Sequence, residues 1–167
     1  ATNQPVRYKV DYFGIAGKGD FNMFELLKLD DQLEKAGFHH ALLIYDGTHA
    51  WPPVDIMEEA FTWSDFCAMK ESLTQKNDIQ IRDFISRHDS ILHALEKKGN
   101  LLKEYDKLKN TLSFLNGLVS TDKYKERLKT LDNRPELQKE LKARQTRMEK
   151  ELKQQQSYTE NMFSKDV

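Results

Sequence analysis

Two apolar segments decide the fold expected for this chain: residues 12–17, YFGIAG, and residues 41–45, ALLIY. Apolar and polar side chains alternate from Val6 to Tyr12 before the first segment, which is typical of a strand entering a sheet. The second segment is a continuous apolar run that ends at Asp46-Gly47, as expected of a strand covered on both faces. We therefore predict two β-strands, and the second is buried.

The stretch between these strands predicts a helix of about fourteen residues. Asn22 is placed to cap it, with Glu25 three residues later as in a capping box. Apolar residues recur at helical spacing from Met23 to Leu33, and Gly37 suits the left-handed position after a helix end. A strand, a helix and a strand of these lengths form a parallel crossover unit.

From about residue 65 the periodicity of apolar residues predicts only helices. Apolar stripes over residues 81–95 and 101–115 flank Gly99-Asn100 and predict a helical hairpin, and a shorter helix and a long polar helix from Pro135 follow. Five of the seven glycines and three of the four prolines precede residue 54. The sequence thus predicts a boundary near Trp63–Cys67, with residues 1–66 and 67–167 as two domains.

The composition excludes collagen-like, mucin-like and wholly disordered proteins. The 167 residues are 38% hydrophobic and 32% charged, as in folded proteins of one or two small domains. No apolar run approaches the roughly 20 residues that a bilayer-spanning helix needs, so no membrane span is expected, and residues 1–9 lack the apolar core of a signal peptide. Cys67, the single cysteine, excludes an internal disulfide, and its apolar neighbours predict a buried thiol.

The net charge of −1 conceals a difference between the two halves. Residues 1–66 hold five basic and eleven acidic residues, whereas residues 67–167 hold 21 and 16. The basic residues of the last helix show no one-sided cluster with interleaved aromatic residues, so no nucleic-acid partner is expected. A protein partner fits that helix better, because Gln145 interrupts its apolar seam of Leu137, Leu141, Met148 and Leu152.

Polar residues with catalytic chemistry follow each predicted strand. Asp20 lies in GKGDFN, residues 17–22, and His49 in YDGTHAWPP, residues 45–53. Neighbouring parallel strands end at the same edge of a sheet, where ligands bind. A carboxylate on one imidazole nitrogen fixes the tautomer and leaves the other nitrogen as a base. We predict that Asp20 and His49 are a catalytic pair and that Trp51 walls a substrate pocket.

These two segments resemble the C-terminal end of an α/β-hydrolase, in particular a bacterial esterase-like branch of that superfamily. There the acid follows the penultimate strand and the histidine follows the last one, and the order of Asp20 and His49 matches. The resemblance covers roughly residues 6–66. It implies an α/β fold, the last parallel strands of a partial α/β-hydrolase, followed by an all-α helical module. It also implies an ester-like substrate and no cofactor. The composition leaves the localisation open, and the resemblance to bacterial esterases favours export over the cytoplasm.

The chain contains no Gly-x-Ser-x-Gly motif, so the resemblance places the nucleophile serine upstream of it and implies that this chain alone is inactive. Two parallel strands also bury too little apolar surface to be stable by themselves. An upstream segment of the same protein, a second copy of the chain or the helical module folded back would supply the missing cover. The alternative to an enzyme is a non-enzymatic helical protein-interaction module.

The other histidines are not predicted to bind a metal. His39 and His40 lie at the amino end of the second strand, away from the Asp20–His49 pair, and no third ligand is predicted beside them. His88 and His93 do not share a helix face and are predicted to be solvated. The glycines of residues 14–19 match neither a dinucleotide-binding nor a phosphate-binding loop, so nucleotide binding is the weakest hypothesis.

Overall fold

The computed structural model describes residues 10–163, which contain two strands and six helices. Strands β1 (Tyr12–Gly17) and β2 (His40–Tyr45) are joined by helix α1 (Met23–Ala36). The other helices are α2 (Val54–Lys70), α3 (Asp78–Lys97), α4 (Leu101–Leu115), α5 (Asp122–Asp132) and α6 (Pro135–Phe163). The strands pair in parallel, from Tyr12 opposite His40 to Gly17 opposite Tyr45, so the predicted crossover unit is present. The predicted start of the first strand, at Val6, lies outside the described residues.

The fold is largely all-α, and the predicted α/β fold class is therefore wrong. Within residues 10–163 the sheet has two strands, and helices make up most of the rest. The strand unit and the helices are not an α/β fragment followed by a separate helical module, because the helices that follow the strands in the sequence pack on them in one core. None of the helices in this range combines the length and the apolar character that crossing a bilayer requires.

One hydrophobic core joins the sheet to the helices. Its centre is Phe66, Phe84 and Phe114, which are at most 1% exposed. The ring centroids of Phe84 and Phe114 are 4.6 Å apart, and Phe13 of β1 contacts Trp63 of α2 at 5.3 Å. The helices folded back on the strands thus provide the cover that the sequence left open. The division into residues 1–66 and 67–167 stays a prediction, and α2 crosses that boundary without a break.

Helix α4 also covers the outer edge of β2. Backbone groups alternate in direction along a parallel strand, and the carbonyls of His40 and Leu42 point away from β1. They accept hydrogen bonds from the Ser113 hydroxyl and from the Asn110 amide, the latter at 2.8 Å. Side chains one turn apart on a single helix therefore satisfy two carbonyls of this strand edge and cover it.

Several helix ends lie where the sequence predicts them. Gly37 follows α1 with a φ of 71°, and its N–H donates to the carbonyl of Glu34. Gly99 has a φ of 64° between α3 and α4, and the Asn100 side chain caps α4 by accepting from the Lys103 N–H. Asn22 precedes α1, but its side chain makes no capping hydrogen bond there.

His88 is buried, so the prediction that it is solvated is wrong. It is 3% exposed, and its ring lies 3.6 Å from that of Phe84 between centroids. Its Nδ1 is 3.1 Å from Oγ1 of Thr111, a hydroxyl that donates to the carbonyl of Lys107. Nδ1–H therefore donates to the threonine hydroxyl.

Burial of His88 should make the stability of the protein depend on pH. Burial, together with the nearby cations Lys107 and Arg87, lowers the pKa of His88 to about 2. Glu59 Oε1 lies 3.5 Å from Nε2, but Lys107 Nζ donates to it at 2.8 Å. Below a pH of about 6.5 the unfolded chain binds a proton that the folded chain does not, so stability is lost as the pH falls. From pH 7 to pH 5 we expect the free energy of unfolding to drop by about 2 kcal/mol through this group.

Urea unfolding at both pH values measures this effect. His88→Gln should lose that part of the pH dependence, whereas His93→Gln should keep it because His93 is exposed. The same pH dependence in His88→Gln as in the wild type would contradict the assignment.

Candidate functional site

The structure brings Asp20 and His49 together at the carboxyl end of the sheet. Nδ1 of His49 lies 3.1 Å from both carboxylate oxygens of Asp20. The two residues follow β1 and β2, whose last residues, Gly17 and Tyr45, are paired. The contact is the one that the order of strands predicts, and its catalytic role stays a prediction.

The Asp20 carboxylate is held in place by its own loop. Its side chain is 11% exposed, and Oδ1 accepts a hydrogen bond of 2.8 Å from the N–H of Asn22. The backbone N–H of Asp20 donates to the carbonyl of Gly17 at 3.0 Å. The Asp20 carboxylate therefore stabilises the start of α1 and also contacts His49. A structural role of Asp20 is thus compatible with a catalytic one.

His49 is accessible on its other side. Its side chain is 61% exposed, and its ring lies 4.6 Å from the ring of Phe21 between centroids. Among the described residues, no side chain or backbone group hydrogen-bonds Nε2 of His49. Nε2 is thus available to exchange a proton with a group that approaches from outside.

A close backbone contact positions the loop that carries His49. The N–H of Gly19 donates to the carbonyl of Gly47 at 2.8 Å. A Cβ atom on Gly17 would lie 2.5 Å from Gly47 O and 2.6 Å from Thr48 O, which no side chain tolerates. Glycine at residue 17 therefore permits the two loops to lie against each other, with Asp20 on one and His49 on the other.

Asp46, in the same loop as His49, forms an exposed ion pair with the loop that follows β1. It pairs with Lys18 Nζ, and this ammonium group lowers the pKa of the Asp46 carboxyl. The pair is exposed, so it links the two loops only weakly.

An open cavity of about 420 Å³ lies beside the pair, and Trp51 lines it together with Asp20, His49, Ile15 and Pro52. Its volume is in the range of small-molecule sites. Trp51 is 91% exposed, so it does not pack under the prolines that follow it. Its placement agrees with the predicted pocket wall, a role that stays a prediction.

The described residues do not supply a nucleophile to this pair. In residues 10–163 no serine, threonine or cysteine side chain hydrogen-bonds His49. The nearby Tyr45 hydroxyl donates to the carbonyls of Thr48 and Ala50, at 3.2 and 3.1 Å. A complete nucleophilic site would need a hydroxyl from elsewhere.

A second pair of an aspartate and a histidine lies at the opposite end of the sheet. Nδ1 of His39 is 2.9 Å from Oδ1 of Asp11 and 3.8 Å from Sγ of Cys67. Asp11 precedes β1 and His39 precedes β2, so the rule that places Asp20 beside His49 also places these two together. The sequence predicted no third ligand near His39 because Cys67 comes from α2. The burial predicted for Cys67 is confirmed, at 8% exposure.

Comparison with models of known protein families, with curated proteins and with solved structures found no match to this chain. The two sites themselves therefore indicate the chemistry of this chain. The Asp20–His49 pair has the geometry of an acid–base pair, and the group around His39 has the composition of a metal-binding site.

Proposed function

We propose that this chain supplies the acid and the histidine of a serine-type hydrolase site for ester-like substrates, and that the nucleophile serine belongs to polypeptide outside this chain. The observation that carries the proposal is the Asp20 carboxylate on Nδ1 of His49, at 3.1 Å from both oxygens, with Nε2 accessible. This is the arrangement that a histidine base needs.

The chemistry follows from this arrangement. Asp20 accepts the hydrogen bond from Nδ1–H, which leaves Nε2 unprotonated. Nε2 takes the proton of the serine hydroxyl as its oxygen attacks the ester carbonyl, and the imidazolium then protonates the departing alkoxide. Water releases the acyl group by the same two proton transfers. Asp20 remains ionised and stabilises the imidazolium in both steps.

The exposure of the two side chains supports a catalytic over a structural interpretation. The acid is 11% exposed and the base 61%, so the acid is shielded while the base reaches solvent. An ion pair with one partner this exposed contributes at most about 1 kcal/mol to stability. The helix-start role of Asp20 explains its contact with Asn22, but it does not explain the contact with His49.

The outer edge of β1 supports the supply of a nucleophile from further polypeptide. The backbone groups of Phe13 and Ile15 point away from β2, and within residues 10–163 they have no hydrogen-bond partner. An added strand from an upstream segment or from a second copy would pair there, next to the loop of Asp20. The proposal uses this edge and the two side chains, and it does not require an α/β-hydrolase fold.

The test is hydrolysis of p-nitrophenyl esters by the gene product in which this chain occurs. We expect His49→Ala to lower kcat/KM by at least about 10³-fold, because the base is removed. Asp20→Asn should lower kcat/KM by about 10²- to 10⁴-fold, because the carboxylate that fixes the tautomer of His49 is lost. The chain alone should show no turnover. His93→Ala is the matched control, since His93 is exposed and contacts Glu96 on its own helix at 3.7 Å.

Full activity of the His49→Ala variant would contradict the catalytic assignment. Turnover that resists a serine-directed phosphonate would contradict the serine nucleophile. Circular dichroism of the variants shows whether they are folded, so that a loss of activity is not mistaken for unfolding.

The structure weakens the case for the alternative, a helical protein-interaction module. One argument for it was the incomplete apolar seam of α6. Leu137 and Met148 of this seam are 0% and 5% exposed, because α6 packs on α1, α4 and α5 of the same chain. We therefore put forward the hydrolase function alone.

A further inference from the structure

We infer that Asp11, His39 and Cys67 form a binding site for Zn²⁺ at the amino end of the sheet. One ligand atom from each residue, a carboxylate oxygen, a ring nitrogen and a thiol sulfur, lies within 4.8 Å of the other two. The site is independent of the Asp20–His49 pair, which occupies the carboxyl end of the same strands.

The distances are close to those of a zinc ligand set. Nδ1 of His39 is 2.9 Å from Asp11 Oδ1 and 3.8 Å from Cys67 Sγ. Zinc bonds of about 2.0–2.3 Å in a tetrahedron separate neighbouring ligand atoms by roughly 3.4–3.6 Å. Side-chain movements on the order of 1 Å bring the three atoms to that spacing, with water as the fourth ligand.

The surroundings of His39 support ligation through Nδ1. The carbonyl of Ser113 lies 3.0 Å from Nε2, and when it accepts a hydrogen bond from Nε2–H the Nδ1 lone pair is directed at Asp11 and Cys67. The ring also stacks on Trp63, with centroids 5.0 Å apart and planes 17° apart, so its orientation is fixed.

A second hydrogen-bond arrangement competes with this one. Lys70 Nζ lies 3.2 Å from Nε2, so Nε2 can accept from the ammonium group while Nδ1–H donates to Asp11. Zinc binding selects the first arrangement, in which Lys70 donates to the carbonyl of Ser113 at 2.6 Å.

The geometry favours a metal over a cysteine nucleophile. A Cys–His–Asp relay places the thiol on one ring nitrogen and the carboxylate on the other. Here both Cys67 and Asp11 approach Nδ1, as ligands that share one ion do.

The donor set and its charge indicate zinc among the common divalent ions. Nitrogen and thiolate sulfur suit zinc, whereas Mg²⁺ and Ca²⁺ bind oxygen. A thiolate, a carboxylate and a neutral imidazole neutralise Zn²⁺, which keeps the cost of burial low. Side-chain exposures of 29% for His39 and 25% for Asp11 leave a path for the ion.

The experiment is a titration of the full chain with Co²⁺ and then Zn²⁺. We expect one equivalent of Co²⁺ to produce a thiolate-to-metal charge-transfer band, and Zn²⁺ to displace it. Cys67→Ser should abolish the band, and both Cys67→Ser and His39→Gln should weaken Zn²⁺ binding by more than about 100-fold. His49→Gln, which alters the other Asp–His pair, should bind Zn²⁺ like the wild type.

A measurement on the wild type alone guards against misfolded variants. Zn²⁺ should slow the reaction of Cys67 with a thiol reagent at least about tenfold, because a ligated thiolate is shielded. An unchanged labelling rate, a Co²⁺ spectrum without the charge-transfer band, or binding lost in His49→Gln would each overturn the inference.

Discussion

Phe114→Ala is expected to lower the free energy of unfolding by about 3–5 kcal/mol, because the ring is fully buried and its removal leaves a cavity. Three phenylalanine rings surround it, those of Phe13, Phe66 and Phe84, with centroids 6.2, 6.2 and 4.6 Å away, and the His88 ring lies at 5.9 Å. Rigid rings do not collapse well into the space of a lost neighbour, which places the cost toward the upper end of that range. Urea unfolding followed by circular dichroism measures the change.

Phe61→Ala is the matched control. It removes the same atoms from a side chain that is 64% exposed, so we expect a change within about 1 kcal/mol. A similar loss of stability in both variants would show that the burial of Phe114 is not what stabilises the fold. Since Phe114 contacts β1 through Phe13, the tryptophan fluorescence of Trp63 should report the same unfolding midpoint as circular dichroism.

Arg127→Met is expected to cost about 3–5 kcal/mol, because it leaves the Glu104 carboxylate buried without its partner. Glu104 is 3% exposed, and Nε of Arg127 donates to it at 2.8 Å. A further guanidinium N–H donates to the carbonyl of Leu92 at 2.9 Å, so Arg127 of α5 connects α3 and α4. Methionine keeps most of the aliphatic stem, so the measured loss reports the guanidinium group, that is, its charge and its hydrogen bonds to Glu104 and Leu92.

The double variant Arg127→Met with Glu104→Leu distinguishes the net contribution of the ion pair from the cost of leaving one charge unpaired. Replacing both partners by apolar residues should recover most of the loss, since no charge is then left unpaired. Arg134→Met is the control, because Arg134 is exposed and its ion pair with Glu136 is long, at 3.7 Å. The free energy of unfolding of this variant should stay within about 1 kcal/mol of the wild type. A cost below about 1 kcal/mol for Arg127→Met would contradict the prediction.

The sequence predicted the local elements better than the fold class. The left-handed Gly37, the Gly99-Asn100 turn and Pro135 at the start of α6 act within a few residues, so their effect is visible in the chain order. Which helix covers the sheet is decided by contacts between distant residues, such as Phe13 with Trp63. Periodicity shows that a helix has an apolar face, but it does not show what that face packs against.

The two sites also differ in how far the sequence could predict which of their residues lie together. Asp20 and His49 could be placed together because both follow neighbouring parallel strands. Cys67 could not be placed beside His39, because its position depends on how α2 packs on the sheet. The burial of His88 could have been predicted, since it shares the spacing of Ile81, Phe84 and Leu92, all buried on the same helix.

The covering of β2 by Ser113 and Asn110 limits how this protein can self-associate. A sheet with two bare edges propagates in both directions and can form fibrils, whereas the sheet within residues 10–163 can add a strand only at β1. When the β1 edges of two copies pair with each other about a twofold axis, neither copy has an unpaired strand edge left for a third. Association through the backbone then ends at a closed dimer, and polymerisation by strand addition is blocked.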